Sequence, residues 1–158
     1  MGRVLASGKL ATKWVLFEKR FEVPDYDDPS KVSRTRWRLI HTPWFGIYLH
    51  KWNKPDPRPT LHNHPWPFFS IILKGWYEEL RLKDLDGLVK WINVVKRDEY
   101  HTVTSVKPGT ISLMFVGRTH EDWGYWTDKG YVNFDKHPHS KEFASAMKAR
   151  KEFFEATA

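Results

Sequence analysis

Leu61-His62-Asn63-His64-Pro65-Trp66-Pro67-Phe68-Phe69-Ser70-Ile71-Ile72-Leu73-Lys74-Gly75 sets two histidines one residue apart, follows them with an apolar run and closes on a glycine. Residues two apart on a strand point to the same face. Both imidazoles can therefore converge on one point, and a metal ion is the commonest reason to arrange that. Taken alone, the pair reads more readily as an exposed His-x-His in a proline-rich loop, so the surrounding chain decides.

Outward from the pair, the run 68–73 predicts a buried strand, Lys74-Gly75 a turn, and residues 76–82 the returning partner of a hairpin. Residues 44–52 form a strongly aromatic strand. Residues 53–59 carry Pro55, Pro57 and Pro59, a rigid loop that delivers the chain to His62. Upstream, Arg34, Arg36 and Arg38 alternate with Thr35, Trp37 and Leu39, a period of two that predicts a strand with one wet face. Residues 14–23 predict an early strand, broken by turn chemistry at 24–30, and residues 1–13 a loosely draped terminus. Downstream, a turn at 84–87 precedes a strand over 88–95. His101 opens a further strand, and residues 110–116 form another after Lys107-Pro108-Gly109. Residues 123–126 and 131–134 flank one more turn. Short strands punctuated by turns at roughly 8–12 residues predict an all-β sandwich or barrel. From Ser140 the pattern changes. Ser140 as N-cap, with Phe143, Met147, Arg150 and Phe154 on one stripe, predicts a helix over residues 140–155 packed on the barrel.

The chain has 158 residues, 41% of them apolar and 28% charged, which predicts one soluble globular domain over residues 1–158. Nine tryptophans and an aromatic fraction of 16% suit a sheet-built core. With no cysteine, disulfides and thiolate metal sites are excluded, and any metal must rely on histidine, carboxylate or water. No stretch reads as a signal peptide or a membrane span, so a cytoplasmic location is expected. The formal charge is +7, with lysines and arginines spread along the chain. That reads first as a solvated basic surface, and second as attraction for an anionic small molecule or nucleic acid.

A third ligand is available. His101 opens a strand two strands after His64, and in an antiparallel barrel such a strand can return beside the first. Three imidazoles on neighbouring strands would then face one interior point and leave open coordination positions. His62-x-His64, the apolar strand, Gly75 and the later His101 resemble the cupin superfamily, over about residues 36–135. The flank His64-Pro65-Trp66 and the stretch Trp123-Gly124-Tyr125-Trp126 look like a group of small bacterial and phage cupins. The resemblance implies a double-stranded β-helix, or jelly roll, with a C-terminal helix. Two departures stand out. Phe68 occupies the position where cupins usually place a glutamate ligand, and Arg97-Asp98-Glu99-Tyr100 replaces the usual glycine and proline before the second-motif histidine. A site of His62, His64 and His101 alone is similar to that of cysteine-dioxygenase-like cupins. This implies Fe(II) as the preferred metal, with Zn, Ni or Mn also compatible with imidazole.

The family pattern also implies cavity residues. Phe68 and Ser70 would face inward, with Trp66 as a pocket wall. Across the turn, Tyr77 and Glu79 would be candidate catalytic groups, Tyr77 as a proton donor and Glu79 as a base or an anchor for a histidine. Arg81 would be a clamp for a substrate carboxylate or phosphate. His41 and His50 read as packing or surface residues, His137 and His139 as loop. Three functions fit: a mononuclear iron dioxygenase on a small anionic substrate, an isomerase or epimerase of a sugar or nucleotide, or a barrel that only binds a small ligand or nucleic acid. A homodimer is compatible with the resemblance, with the exposed aromatic strand at 14–23 as its contact.

Overall fold

The computed structural model describes residues 14–17, 21–58, 60–83, 87–120 and 122–157. The expected draped terminus at 1–13, and most of the turn before residue 87, lie outside them. In chain order the strands are β1 (Val15–Leu16), β2 (Phe21–Pro24), β3 (Val32–His41), β4 (Gly46–Trp52), β5 (Phe68–Lys74), β6 (Tyr77–Arg81), β7 (Gly87–Val89), β8 (Ile92–Val95), β9 (His101–Val106), β10 (Thr110–Val116), β11 (Gly124–Thr127) and β12 (Gly130–Asn133). A single 3-10 turn, Phe134–Lys136, leads into helix α1 (Pro138–Thr157).

Two antiparallel sheets face each other. In the first, β1 and β2 both pair with β3, and the order continues β4, β10, β5, β8. The second runs β7, β6, β9. It then passes through His62, which bridges His101 on one side and Tyr125 on the other, to β11 and β12. His62 is thus a one-residue strand that joins the two halves of the second sheet. The core between the sheets holds two clusters. Tyr48, Trp66, Phe68, Val95, Met114 and Val116 form one; Trp52, Ile72, Tyr77, Val89, Val103 and Val106 form the other.

Strand parity follows the sequence on β5, where Phe68, Ser70 and Ile72 are buried, and on β6, where Tyr77 and Glu79 are buried. Three details differ. Residues 76–82 do not fold back on 68–73 as a hairpin. β5 pairs with β10 and β8, whereas β6 pairs with β7 and β9. Gly75 therefore carries the chain from one sheet to the other. Turn chemistry marks a reversal without saying which strand the chain meets next. Residues 88–95 are likewise two strands, broken at Lys90-Trp91 and placed in different sheets. The helix begins at Pro138, two residues before the expected cap, because proline suits the first helical turn.

Gly75 sits at φ +84°, and a Cβ there would strike the Thr110 side chain and backbone. Thr110 Oγ1 already accepts from the Trp76 amide at 3.1 Å, so it cannot retreat. Gly75→Ala is expected to lower stability by about 2–4 kcal/mol, read as a drop in urea midpoint with an unchanged slope. A midpoint equal to the native one would contradict this account of the corner.

Helix α1 lies against β2. Ala146 is buried, Arg150 ion-pairs with Glu22, and an Arg150 terminal nitrogen donates to the Pro29 carbonyl at 3.0 Å. Only the start of the expected N-terminal contact strand, residues 14–17, is described, and Trp14, Leu16 and Phe17 are exposed.

Candidate metal centre

His62 and His64 come from the segment that follows the proline loop, and His101 from the first position of β9. His62 exchanges both backbone hydrogen bonds with His101, at 2.9 and 3.0 Å, so the backbone itself sets the first and third imidazoles side by side. The three ring centroids are 5.1, 5.2 and 5.2 Å apart. One nitrogen from each ring lies within 4.8 Å of the other two, a separation that a single ion can bridge. Phe68 stands where a fourth protein ligand would come, its ring 5.1 Å from that of His64.

Hydrogen bonds behind the rings decide which nitrogens face inward. His62 Nδ1 is 3.1 Å from the Thr60 carbonyl. His101 Nδ1 is 2.9 Å from Glu79 Oε2. Carbonyl and carboxylate oxygens only accept, so both Nδ1 atoms carry a proton, and in the neutral rings that bind a metal both Nε2 atoms hold the lone pair. His101 Nε2 is 2.9 Å from His64 Nε2. A metal-ligating histidine held by a carboxylate at its other nitrogen is the common pattern around bound ions.

Glu79 is 2% exposed and fully engaged. It accepts from His101, from Arg81 Nε at 2.7 Å and from Asn93 at 2.9 Å. Burial pushes its carboxyl up, but the bonds from His101 and Arg81 outweigh that and hold it below the ordinary value. Arg81 spends its donors on Glu79, Glu99, Asn93 and the Val94 carbonyl. It lines neither cavity described below, which differs from the expected substrate clamp: its guanidinium buttresses Glu79. Tyr77 accepts from Asn93 at 2.7 Å, and burial pushes its hydroxyl up to about 12, so it stays protonated near neutrality.

Burial lowers His62 to about 4, against the upward pull of Asp56. Burial also holds His64 and His50 well below the ordinary value of 6.5. The folded chain therefore keeps these imidazoles neutral where the unfolded chain protonates them. Between about pH 6.5 and about pH 4 the unfolded state binds more protons, so stability falls as pH drops through that window. Loss of the Glu79 charge at its lower end acts in the same direction. Metal-free protein should show a lower urea midpoint at about pH 5 than at about pH 7.5; a flat profile would contradict the buried, neutral assignment.

Two cavities meet at the histidines. The larger, about 260 Å³, has walls that include Phe21, Tyr26, Trp123, Tyr125, Phe134 and Phe143. The smaller, about 30 Å³, reaches in to Phe68, Ser70 and Tyr77. Both are lined by Arg34, Arg36, Asp56, His62, His64 and Trp66. Arg34 and Arg36 lie beside Trp52 and His50 across the β3–β4 ladder, so the arginine face of β3 points into the barrel rather than to water. Arg34 stacks over the Trp52 ring at 4.4 Å. Arg36 Nε donates to His50 Nε2 at 2.9 Å. His50 is fully buried, and His41 bonds to Tyr48 at 2.7 Å inside the core. His139 lies in the first turn of α1 and reaches Tyr26 at 3.0 Å on the cavity wall. Arg34, Arg36, His50, Asp56 and His139 were not among the expected site residues. The one signal available was the alternation of arginine with bulky residues beside an aromatic strand.

No family model matches the sequence, and no curated protein matches it. Solved structures do resemble it. One is a protein from Ralstonia eutropha described as a candidate mannose-6-phosphate isomerase, 14% identical, covering 54% of this chain and 85% of its own, with a TM-score of 0.50. Another is an RmlC-like cupin from Shewanella frigidimarina, 11% identical over 55% of this chain and 78% of that one, at 0.46. The fold is the cupin double-stranded β-helix. A third is the DMSP lyase DddQ from Ruegeria pomeroyi, 13% identical, at 0.48. That match covers 67% of the present chain but only about half of the lyase, 56%. At these identities the likeness is one of fold. Among the described residues, no helix is long and apolar enough to cross a membrane.

Proposed function

We propose that this cupin is a metal-dependent enzyme in which His62, His64 and His101 hold one divalent ion, Fe(II) in preference to Zn, Ni or Mn, and that it is a mononuclear non-haem iron dioxygenase acting on a small molecule. The observation that carries the metal assignment is the fixed tautomer of two of the three imidazoles. The Thr60 carbonyl and the Glu79 carboxylate each hold an Nδ1 proton, and the Nε2 lone pairs converge. Three neutral ligands leave the ion its full double charge. The preference for iron rests on the three-histidine resemblance.

Bound Fe(II) would supply open coordination positions where substrate and dioxygen react. The chain's own residues do the rest. Glu79 is a positioning residue that orients His101, with Arg81 behind it. Phe68 keeps a fourth protein ligand out. Trp66 and Ser70 wall the inner cavity, and Tyr77 presents a protonated hydroxyl there that can donate to a substrate oxygen.

Nitric oxide, a stand-in for dioxygen, tests the open positions without knowledge of the substrate. Protein loaded with Fe(II) under anaerobic conditions should give a paramagnetic nitric oxide spectrum in proportion to its iron. Iron bound at one equivalent that takes up no nitric oxide would contradict the dioxygenase assignment and favour Lewis-acid chemistry such as an isomerase's.

A further inference from the structure

Three residues that line the small cavity each carry a buried side-chain nitrogen without a hydrogen-bond partner: Arg34 Nε, His50 Nδ1 and Trp66 Nε1. All three are donors. Arginine and tryptophan nitrogens never accept. His50 accepts from Arg36 at its Nε2 and is held neutral by burial, so its proton is on Nδ1. Buried donors are almost always met by an acceptor, and three unmet ones on residues around one small cavity point to a site for oxygen atoms. The Arg34 charge selects an anionic acceptor. Asp56 ion-pairs with Arg34 through Nη1 at 3.7 Å and accepts from the Val103 amide at 2.8 Å, which leaves Arg34 Nε without a hydrogen-bond partner. The small cavity is about 30 Å³, and a planar carboxylate is a more compact anion than a tetrahedral phosphate. The adjoining cavity of about 260 Å³ is below the range of drug-sized pockets, about 300–1,000 Å³, and its walls are largely aromatic.

We propose that the substrate is a small carboxylate with an apolar, planar body, its carboxylate held by Arg34, His50 and Trp66 and its body lying in the aromatic cavity beside the three histidines. The assignment rests on reading this cavity as the enzyme's substrate site, and it places the anion on β3, β4 and the His-Pro-Trp segment instead of on Arg81.

Benzoate, phenyl phosphate and benzamide serve as probes, titrated calorimetrically into the full chain with and without one equivalent of Zn(II). Benzoate should bind at least about tenfold more tightly than either of the others. Trp66→Phe removes one donor and keeps an aromatic ring, and Arg34→Lys keeps the charge and removes the Nε donor. Each should weaken benzoate by about tenfold and benzamide by less. Benzamide binding as tightly as benzoate, or benzoate binding unaltered by both substitutions, would overturn the site. Phenyl phosphate as the tightest probe would overturn the carboxylate assignment. Benzoate binding in a chain that takes up no metal would uphold this site while sinking the metal-enzyme reading; metal uptake with no benzoate binding would do the reverse.

Discussion

His101→Ala is expected to weaken divalent-ion binding by about 100- to 1,000-fold, the share of one ligand among three in a site worth about 10 kcal/mol or more. The substitution removes more than a nitrogen. His101 ties the metal group to β6 through Glu79 and stands within 2.9 Å of His64, so the two remaining imidazoles lose both a co-ligand and a wall. Competition against a chromophoric chelator measures the affinity directly. His120→Ala is the control, because His120 lines neither cavity and should bind metal as the native chain does. Equal affinities for His101→Ala and the native chain would remove His101 from the site.

Glu79→Gln separates positioning from stability. The carboxylate is buried among His101, Arg81 and Asn93. Its neutral replacement leaves the Arg81 guanidinium with Glu99 as its remaining carboxylate partner, in a setting where breaking such a pair costs about 3 kcal/mol or more. Metal affinity should fall by about 10- to 100-fold, because the amide no longer enforces the His101 tautomer. Arg81→Met provides the contrast. It breaks the ion pair but leaves the Glu79–His101 contact, so stability should fall with metal affinity within about threefold of native. If both variants lose stability and metal binding in the same proportion, Glu79 is only a structural anion and orients nothing.

Much of the fold could be read locally. The period-two runs at β5, β6 and β10 mark strands whatever they pair with, and His62-x-His64 puts two rings on one face at any register. The third histidine of the group was also legible, because His101 begins a strand at a distance that lets it return. Sheet membership was not. Gly75 and Lys90-Trp91 look like ordinary turns, and only long-range pairing decides that each passes the chain between sheets.

The same limit hid the arginines that line the two cavities. Arg34 and Arg36 alternate with bulky residues in the manner of a solvated face, since a guanidinium is usually exposed. Here the Trp52 ring and His50 make the interior tolerable for them, and both partners lie on the neighbouring strand. Arg81 shows the converse. It looked like a substrate clamp because its parity was right, but Glu79, Asn93 and Glu99 surround it, and those neighbours come from other turns of the chain. Parity tells which face a side chain takes; it does not tell whether that face already holds a partner.

The most direct test is the metal stoichiometry of the native chain, purified without chelator, dialysed against Fe(II) under anaerobic conditions and analysed by elemental mass spectrometry. One equivalent per chain is expected, and none in His62→Ala combined with His64→Ala. A folded native chain that retains no divalent ion, or retains as much as the double variant, would contradict the metal centre.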